Sequence, residues 1–209
     1  GVPHQAAIGE SVIAENWTNQ HGRKGRDSDE NAASFALVTF SKLCEQSIPC
    51  KIVIAAHATD HDPNKDTNSA YCKEVFSEET NLLFECHGAG DKRKQDIEIS
   101  AGANTLSNAL DFGRRLASQL NYHYSLSAQV EAGSKNAKSI SRESEADTTL
   151  TLPALETTSL IQAIKRNVAA LHLEAKPCFR IPENDYSVSG EGLVLGNAIA
   201  EVILSKVNL

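Results

Sequence analysis

Asn81-Leu82-Leu83-Phe84-Glu85-Cys86-His87-Gly88-Ala89-Gly90 is the stretch on which the fold turns. Its first six residues form a short, mainly apolar run of buried-strand type, closed by a glycine-punctuated turn. Upstream, Ala33, Phe35, Ala36, Phe40 and Leu43 recur at helical spacing and predict a helix over 32–43, with the acidic Asp27–Glu30 at its start and Pro49 beyond its end. The β-branched run at 51–56 predicts a strand, and 68–76 a helix. Downstream, 96–100 alternates as a strand does, 105–120 is an amphipathic helix, and 122–126 is a further strand. A helix over 154–166 follows Pro153 and feeds the strand Ala169-Ala170-Leu171-His172-Leu173-Glu174; a closing helix spans 193–207. Strands alternating with helices predict an α/β fold, a three-layer αβα sandwich around a mostly parallel sheet. The polar segments 9–29 and 134–147 read as loops.

The 209 residues show no internal repeat and read as a single domain over 1–209. No apolar run approaches the roughly 18 residues of a membrane span, so no membrane association is expected. The formal net charge is −7, and the densest basic run, Lys92-Arg93-Lys94, is bracketed by Asp91 and Asp96. That argues against nucleic acid, which needs a basic face. Cys44, Cys50, Cys72, Cys86 and Cys178 are odd in number and widely spaced. They read as reduced, mainly buried thiols of a cytoplasmic protein. The chain contains no methionine and starts at Gly1; the expectation is that it begins inside a longer precursor or that methionine positions have been lost.

Ligands of open α/β sheets collect at the carboxyl ends of strands. Three such ends carry a residue able to act: His4 after Val2-Pro3, His87 after Cys86, and Glu174 after Leu173. Two histidines with a carboxylate make the ligand set of a hydrolytic zinc site with one open position, and a further glutamate can take a proton from the zinc-bound water. Each can equally be an ordinary polar residue at a strand end. His57, Asp60, His61 and Asp62 crowd another strand end and form a second metal candidate, although Pro63 and Asn64 suit a turn with exposed histidines. There is no G-x-S-x-G elbow, P-loop or G-x-G-x-x-G run. Cys86 neighbours His87, but adjacent strand residues point to opposite faces, which disfavours a thiol nucleophile.

Val2-Pro3-His4-Gln5-Ala6, Glu85-Cys86-His87-Gly88, Asp96-Ile97-Glu98-Ile99 and Leu171-His172-Leu173-Glu174 together resemble the motif series of the N-formylglutamate amidohydrolase-like proteins, relatives of the zinc carboxypeptidases and aspartoacylases. The resemblance spans nearly the whole chain on short motifs. It implies a zinc-peptidase-like fold and a zinc-dependent hydrolase of an amide bond in a carboxylate-bearing substrate, such as an N-acyl amino acid or small acidic peptide. It further implies His4, Glu30 and His87 as metal ligands, with Asp29 and then Glu10 as alternatives to Glu30. Glu174 would be the general base. Arg93, and second Arg180, would receive the substrate carboxylate, arginine offering the bidentate fork. The chain departs from the family at Asp62-Pro63-Asn64-Lys65, where lysine stands in place of arginine. The alternative function is a catalytically inert α/β protein of the same fold that binds a small carboxylate or a protein partner.

Overall fold

The structure, a computed structural model, describes residues 32–54, 66–89, 95–101, 107–124, 128–131, 158–181 and 188–207. Five α-helices, one 3₁₀ turn (Pro177–Phe179) and four strands are described: α1 (Ala33–Glu45), α2 (Ala70–Val75), β1 (Leu82–Gly88), β2 (Ile97–Ser100), α3 (Ser107–His123), β3 (Ala128–Glu131), α4 (Thr158–Lys165), β4 (Ala169–Ala175) and α5 (Gly190–Val207). The strands form one sheet in the order β1-β4-β2-β3. β1 pairs with β4 in parallel and β2 with β3 in parallel, while β2 and β4 run antiparallel. The fold is α/β with a small mixed sheet; the antiparallel β2–β4 pairing is what the alternation of strands and helices did not reveal.

Period-two alternation splits the sheet into unlike faces. Phe84 and Cys86 of β1, Ile97 and Ile99 of β2, and Leu171 and Leu173 of β4 lie in one buried apolar cluster with residues of α1, α3 and α5. Phe112 of α3 meets Phe84 edge-on at 5.2 Å between ring centroids. That cluster is the main source of hydrophobic stabilisation, because each fully buried large apolar side chain contributes about 1.5–3 kcal/mol. On the opposite face Leu83 and Ala170 join Tyr71, Cys72 and Val75 of α2 and Leu160 and Ala163 of α4 in a second cluster. Cys86 therefore packs away from His87, as strand alternation requires.

Local signals explain most element ends. Ser69 caps α2 by accepting the Cys72 N–H at 3.0 Å, and Ser189 caps α5 by accepting the Gly192 N–H at 3.0 Å. That second cap starts α5 three residues before the expected Leu193. Ser47 and Asn167 take the left-handed conformation, with φ 57° and 59°, and turn the chain out of α1 and α4.

Two expected strands differ. Tyr122 and His123, expected to open a strand over 122–126, continue α3; the fourth expected strand is instead Ala128–Glu131. Asn121 sets this boundary by bonding both the N–H and the carbonyl of Ala128, at 2.9 and 3.1 Å. Residues 51–54 of the run expected as a strand are not paired in the sheet, although Ile52 and Ile54 pack on one cluster and Val53 on the other. The thiols are also less buried than expected: Cys72 and Cys86 are buried, Cys50 is half-buried, and Cys44 and Cys178 are exposed. None of the described helices is long and apolar enough to cross a membrane.

α1 and α5 touch closely because Gly196 has no side chain. A Cβ there would stand 2.6 Å from the Val38 Cβ and 2.7 Å from the Phe35 carbonyl oxygen, and Thr39 donates its hydroxyl to the Gly196 carbonyl at 3.0 Å. Gly196→Ala is expected to destabilise by about 2 kcal/mol through overpacking. Gly190→Ala, whose Cβ would meet nothing within 4 Å, is expected to change stability by less than about 0.5 kcal/mol. Urea-unfolding midpoints check the pair; equal midpoints would remove Gly196 as the determinant of this contact.

Candidate metal centre

The second face of the sheet turns polar towards the carboxyl ends of β1 and β4. Glu85 and His87 sit two apart on β1, His172 and Glu174 two apart on β4, and Glu98 and Ser100 two apart on β2. The parallel register sets Glu85 opposite His172 and His87 opposite Glu174. The antiparallel register continues the rows, with Ser100 opposite His172 and Glu98 opposite Glu174. All six are buried, Glu85 completely. Three carboxyl groups and two imidazoles thus share one covered face, where each uncompensated ion costs several kcal/mol.

His172 lies at the centre. Its Nδ1 is 3.1 Å from Oε2 of Glu85 and its Nε2 is 3.1 Å from Oε1 of Glu174. The His87 ring lies over it at 4.1 Å between centroids, tilted by 30°. Burial alone would lower the His172 pKa. The hydrogen bonds to Glu174 and Glu85, and then their charges, outweigh that and raise it from 6.5 to about 10. Without a metal, the cation on this face is the His172 imidazolium, donating from both nitrogens.

The same donors suit a metal ion. One ligand atom each from Glu85, His87 and His172 lies within 4.8 Å of the others. Donors on a tetrahedral zinc at about 2.0–2.1 Å stand about 3.3 Å apart, so modest side-chain rotation closes the group. Among the described residues, the Oε1 of Glu85 and the Oε2 of Glu174 are buried with no hydrogen-bond partner. Two buried carboxylate oxygens left over beside two imidazoles are what a cation would satisfy. The residues fit a divalent metal of borderline softness. A proton and a metal compete for His172, since a ligating imidazole must give up one N–H and commonly directs the other to a carboxylate.

Of the residues singled out in the sequence, His87 and Glu174 both face this cluster. His4, Glu30 and Arg93 lie outside the described residues, as do Asp29, Glu10, His57, Asp60, His61 and Asp62. Arg180 is buried at the carboxyl ends of β1 and β4; its Nε donates to the Ala175 carbonyl at 3.0 Å and its Nη2 to the Ala89 carbonyl at 3.2 Å. Gly88 makes room for it, since a Cβ there would stand 2.6 Å from the guanidinium carbon. Lys176, two residues beyond Glu174, bonds Asp96 at 3.0 Å. Sequence reasoning passed over Glu85 and His172. Their signal was the pair of two-residue spacings Glu85-x-His87 and His172-x-Glu174, which put both members of each pair on one strand face.

No protein-family model matches the chain, and no curated protein matches it. Among solved structures, a metallo-carboxypeptidase from Burkholderia cenocepacia aligns with a TM-score of 0.42 at 15% identity, over 71% of this chain and 38% of that one. This chain therefore spans less than half of that protein's length.

Because His172 takes up its proton more readily folded than unfolded, metal-free protein draws stability from it in full below about pH 6.5 and loses it as pH rises through about 10. In chelator, the urea-midpoint gap between the parent and His172→Gln is expected to narrow from about pH 7 to about pH 10. A gap that stays constant over that range would show that His172 is not the buried cation.

Proposed function

We propose that this chain is a metal-dependent hydrolase of zinc-peptidase-like architecture that cleaves an amide bond in an N-acyl amino acid or a small acidic peptide. The observation that carries the reading is the convergence of Glu85, His87, His172 and Glu174 on one buried face, at the carboxyl ends of two adjacent parallel strands. Apolar clusters on both sheet faces support the three-layer αβα reading, with β1–β4 and β2–β3 as its parallel parts. Widely spaced cysteines support a cytoplasmic setting.

Glu85, His87 and His172 would hold the ion. Zinc, when bound, supplies Lewis acidity towards a substrate carbonyl and acidifies water near neutral pH. Glu174 acts as the general base: its Oε1 is anchored on His172 while its Oε2, without a hydrogen-bond partner among the described residues, can take a proton from water, then pass it to the leaving amine. With the ion bound, His172 would ligate through Nδ1, the nitrogen that faces Glu85, and keep Glu174 oriented through its Nε2–H. Arg93 is the proposed receptor for the substrate carboxylate. Arg180, whose guanidinium donates to two backbone carbonyls, is the second cation beside the same strand ends. His87 is common to this ligand set and to the set His4, Glu30 and His87 implied by the family resemblance.

A second reading has its own observation. Both ring nitrogens of His172 already meet carboxylates, and a closed Glu–His–Glu triad can serve folding alone, in an inert protein that binds a small carboxylate or a partner.

Elemental analysis after zinc loading separates them. The hydrolase reading expects about one zinc per chain, lost in His87→Ala and in His172→Ala. A loss in His4→Ala with retention in His172→Ala would favour the His4-containing set. Failure of the parent protein to retain any divalent metal would leave the inert reading. Glu174→Gln is expected to keep zinc while hydrolysis of N-formyl and N-acetyl acidic amino acids falls by about 10²–10⁴-fold; unchanged turnover would remove Glu174 from the mechanism.

A further inference from the structure

At the far end of α1, away from the polar face in sequence and in role, two thiols meet. Cys44 lies in the last turn of α1 and Cys50 six residues later, yet their Sγ atoms are 3.7 Å apart. The turn between them brings this about. Gln46 donates its N–H to the Leu43 carbonyl at 3.1 Å, Ser47 to Cys44 at 2.9 Å and Ile48 to Leu43 at 3.0 Å, with Ser47 at φ 57°. These bonds close the helix end and fold the chain back on itself. Pro49, with its fixed φ, then carries the chain into Cys50. Cys44 is exposed and Cys50 half-buried, so small thiol reagents reach the pair.

We propose that Cys44 and Cys50 form a reversible dithiol–disulfide site, oxidised by low-molecular-weight disulfides of the glutathione class. A disulfide needs its sulfurs at about 2.05 Å, and side-chain rotation spans the difference from 3.7 Å. Cys44, the more exposed thiol, reacts first. Its thiolate attacks one sulfur of the oxidant, the oxidant's S–S bond breaks, and one thiol leaves after taking a proton from solvent. Cys50 then loses its proton to solvent and attacks the Cys44 sulfur, expelling the second thiol. Two protein thiols are oxidised by two electrons and one small disulfide is reduced to two thiols. Burial, and then the hydrogen bond and charge of Cys44, push the Cys50 thiol up to about 11, which suits it to the second step rather than the first.

The oxidised bond would pin the end of α1 to the segment at 51–54, whose Ile52, Val53 and Ile54 reach both apolar clusters. Cys178 is also exposed, but the structure places no second sulfur beside it among the described residues.

The test equilibrates the full chain with oxidised glutathione, alkylates the remaining thiols under denaturing conditions, and maps the peptides by mass spectrometry. Of the five cysteines, the Cys44 and Cys50 thiols are expected to disappear together as an internal disulfide, and to return with reductant. Cys50→Ser is expected to stop at a stable glutathione adduct on Cys44, and Cys44→Ser to leave Cys50 largely alkylatable. Persistence of both thiols at a large excess of oxidant would overturn the proposal, as would glutathione adducts on each cysteine in place of the internal bond. Neither thiol lies on the polar face, so zinc content separates failure here from failure of the hydrolase reading.

Discussion

The buried imidazole of His172, suspended between the carboxylates of Glu85 and Glu174, is the interaction around which the rest of the sheet is organised. A face carrying three glutamates and two histidines would not stay covered without a cation on it. Either a proton on His172 or a metal shared with Glu85 and His87 supplies that charge. The two are alternatives at one nitrogen, so the residues that stabilise the metal-free fold are also the residues that a metal would recruit. Folding and metal binding would therefore be linked through a single side chain.

The other face shows what makes such a site affordable. Phe84, Ile97, Ile99, Leu171 and Leu173 pack against α1, α3 and α5 in a continuous apolar cluster, and close contact at Gly196 draws α1 and α5 together. Because successive residues of one strand serve opposite faces, the side chains that anchor β1 and β4 also fix the positions of Glu85, His87, His172 and Glu174. Precise placement of a polar cluster follows from rigid packing one residue away.

Much of the fold was legible locally. β1 and β4 announced themselves as short, mainly apolar runs, and α1, α3 and α5 as helical periodicity, because those patterns reflect which side is buried. Caps carried finer information: Ser189 and Ser69 mark helix starts that apolar spacing alone places late or vaguely. The strand expected from Tyr122 starts late, because Asn121 delays it to Ala128 by bonding the Ala128 backbone on both sides. The β-branched run at 51–54 misled as well: its side chains reach two clusters without its joining the sheet ladder. Hydrophobic pattern reports the environment of side chains and says nothing about where the backbone finds its hydrogen bonds.

For the site, the chain by itself determined that His87 and Glu174 end apolar strands, that Glu85 shares a face with His87, and that His172 shares one with Glu174. The period of two residues dictates each of these within a strand. Only the tertiary structure decided that β1 and β4 are neighbours, parallel, and in the register that sets Glu85 against His172 and His87 against Glu174. It also decided that β2 enters antiparallel and adds Glu98 and Ser100 to the same face. Strand order and register depend on how helices distant in sequence fill both faces at once, and a shift of one residue would have sent every one of these side chains into the apolar core.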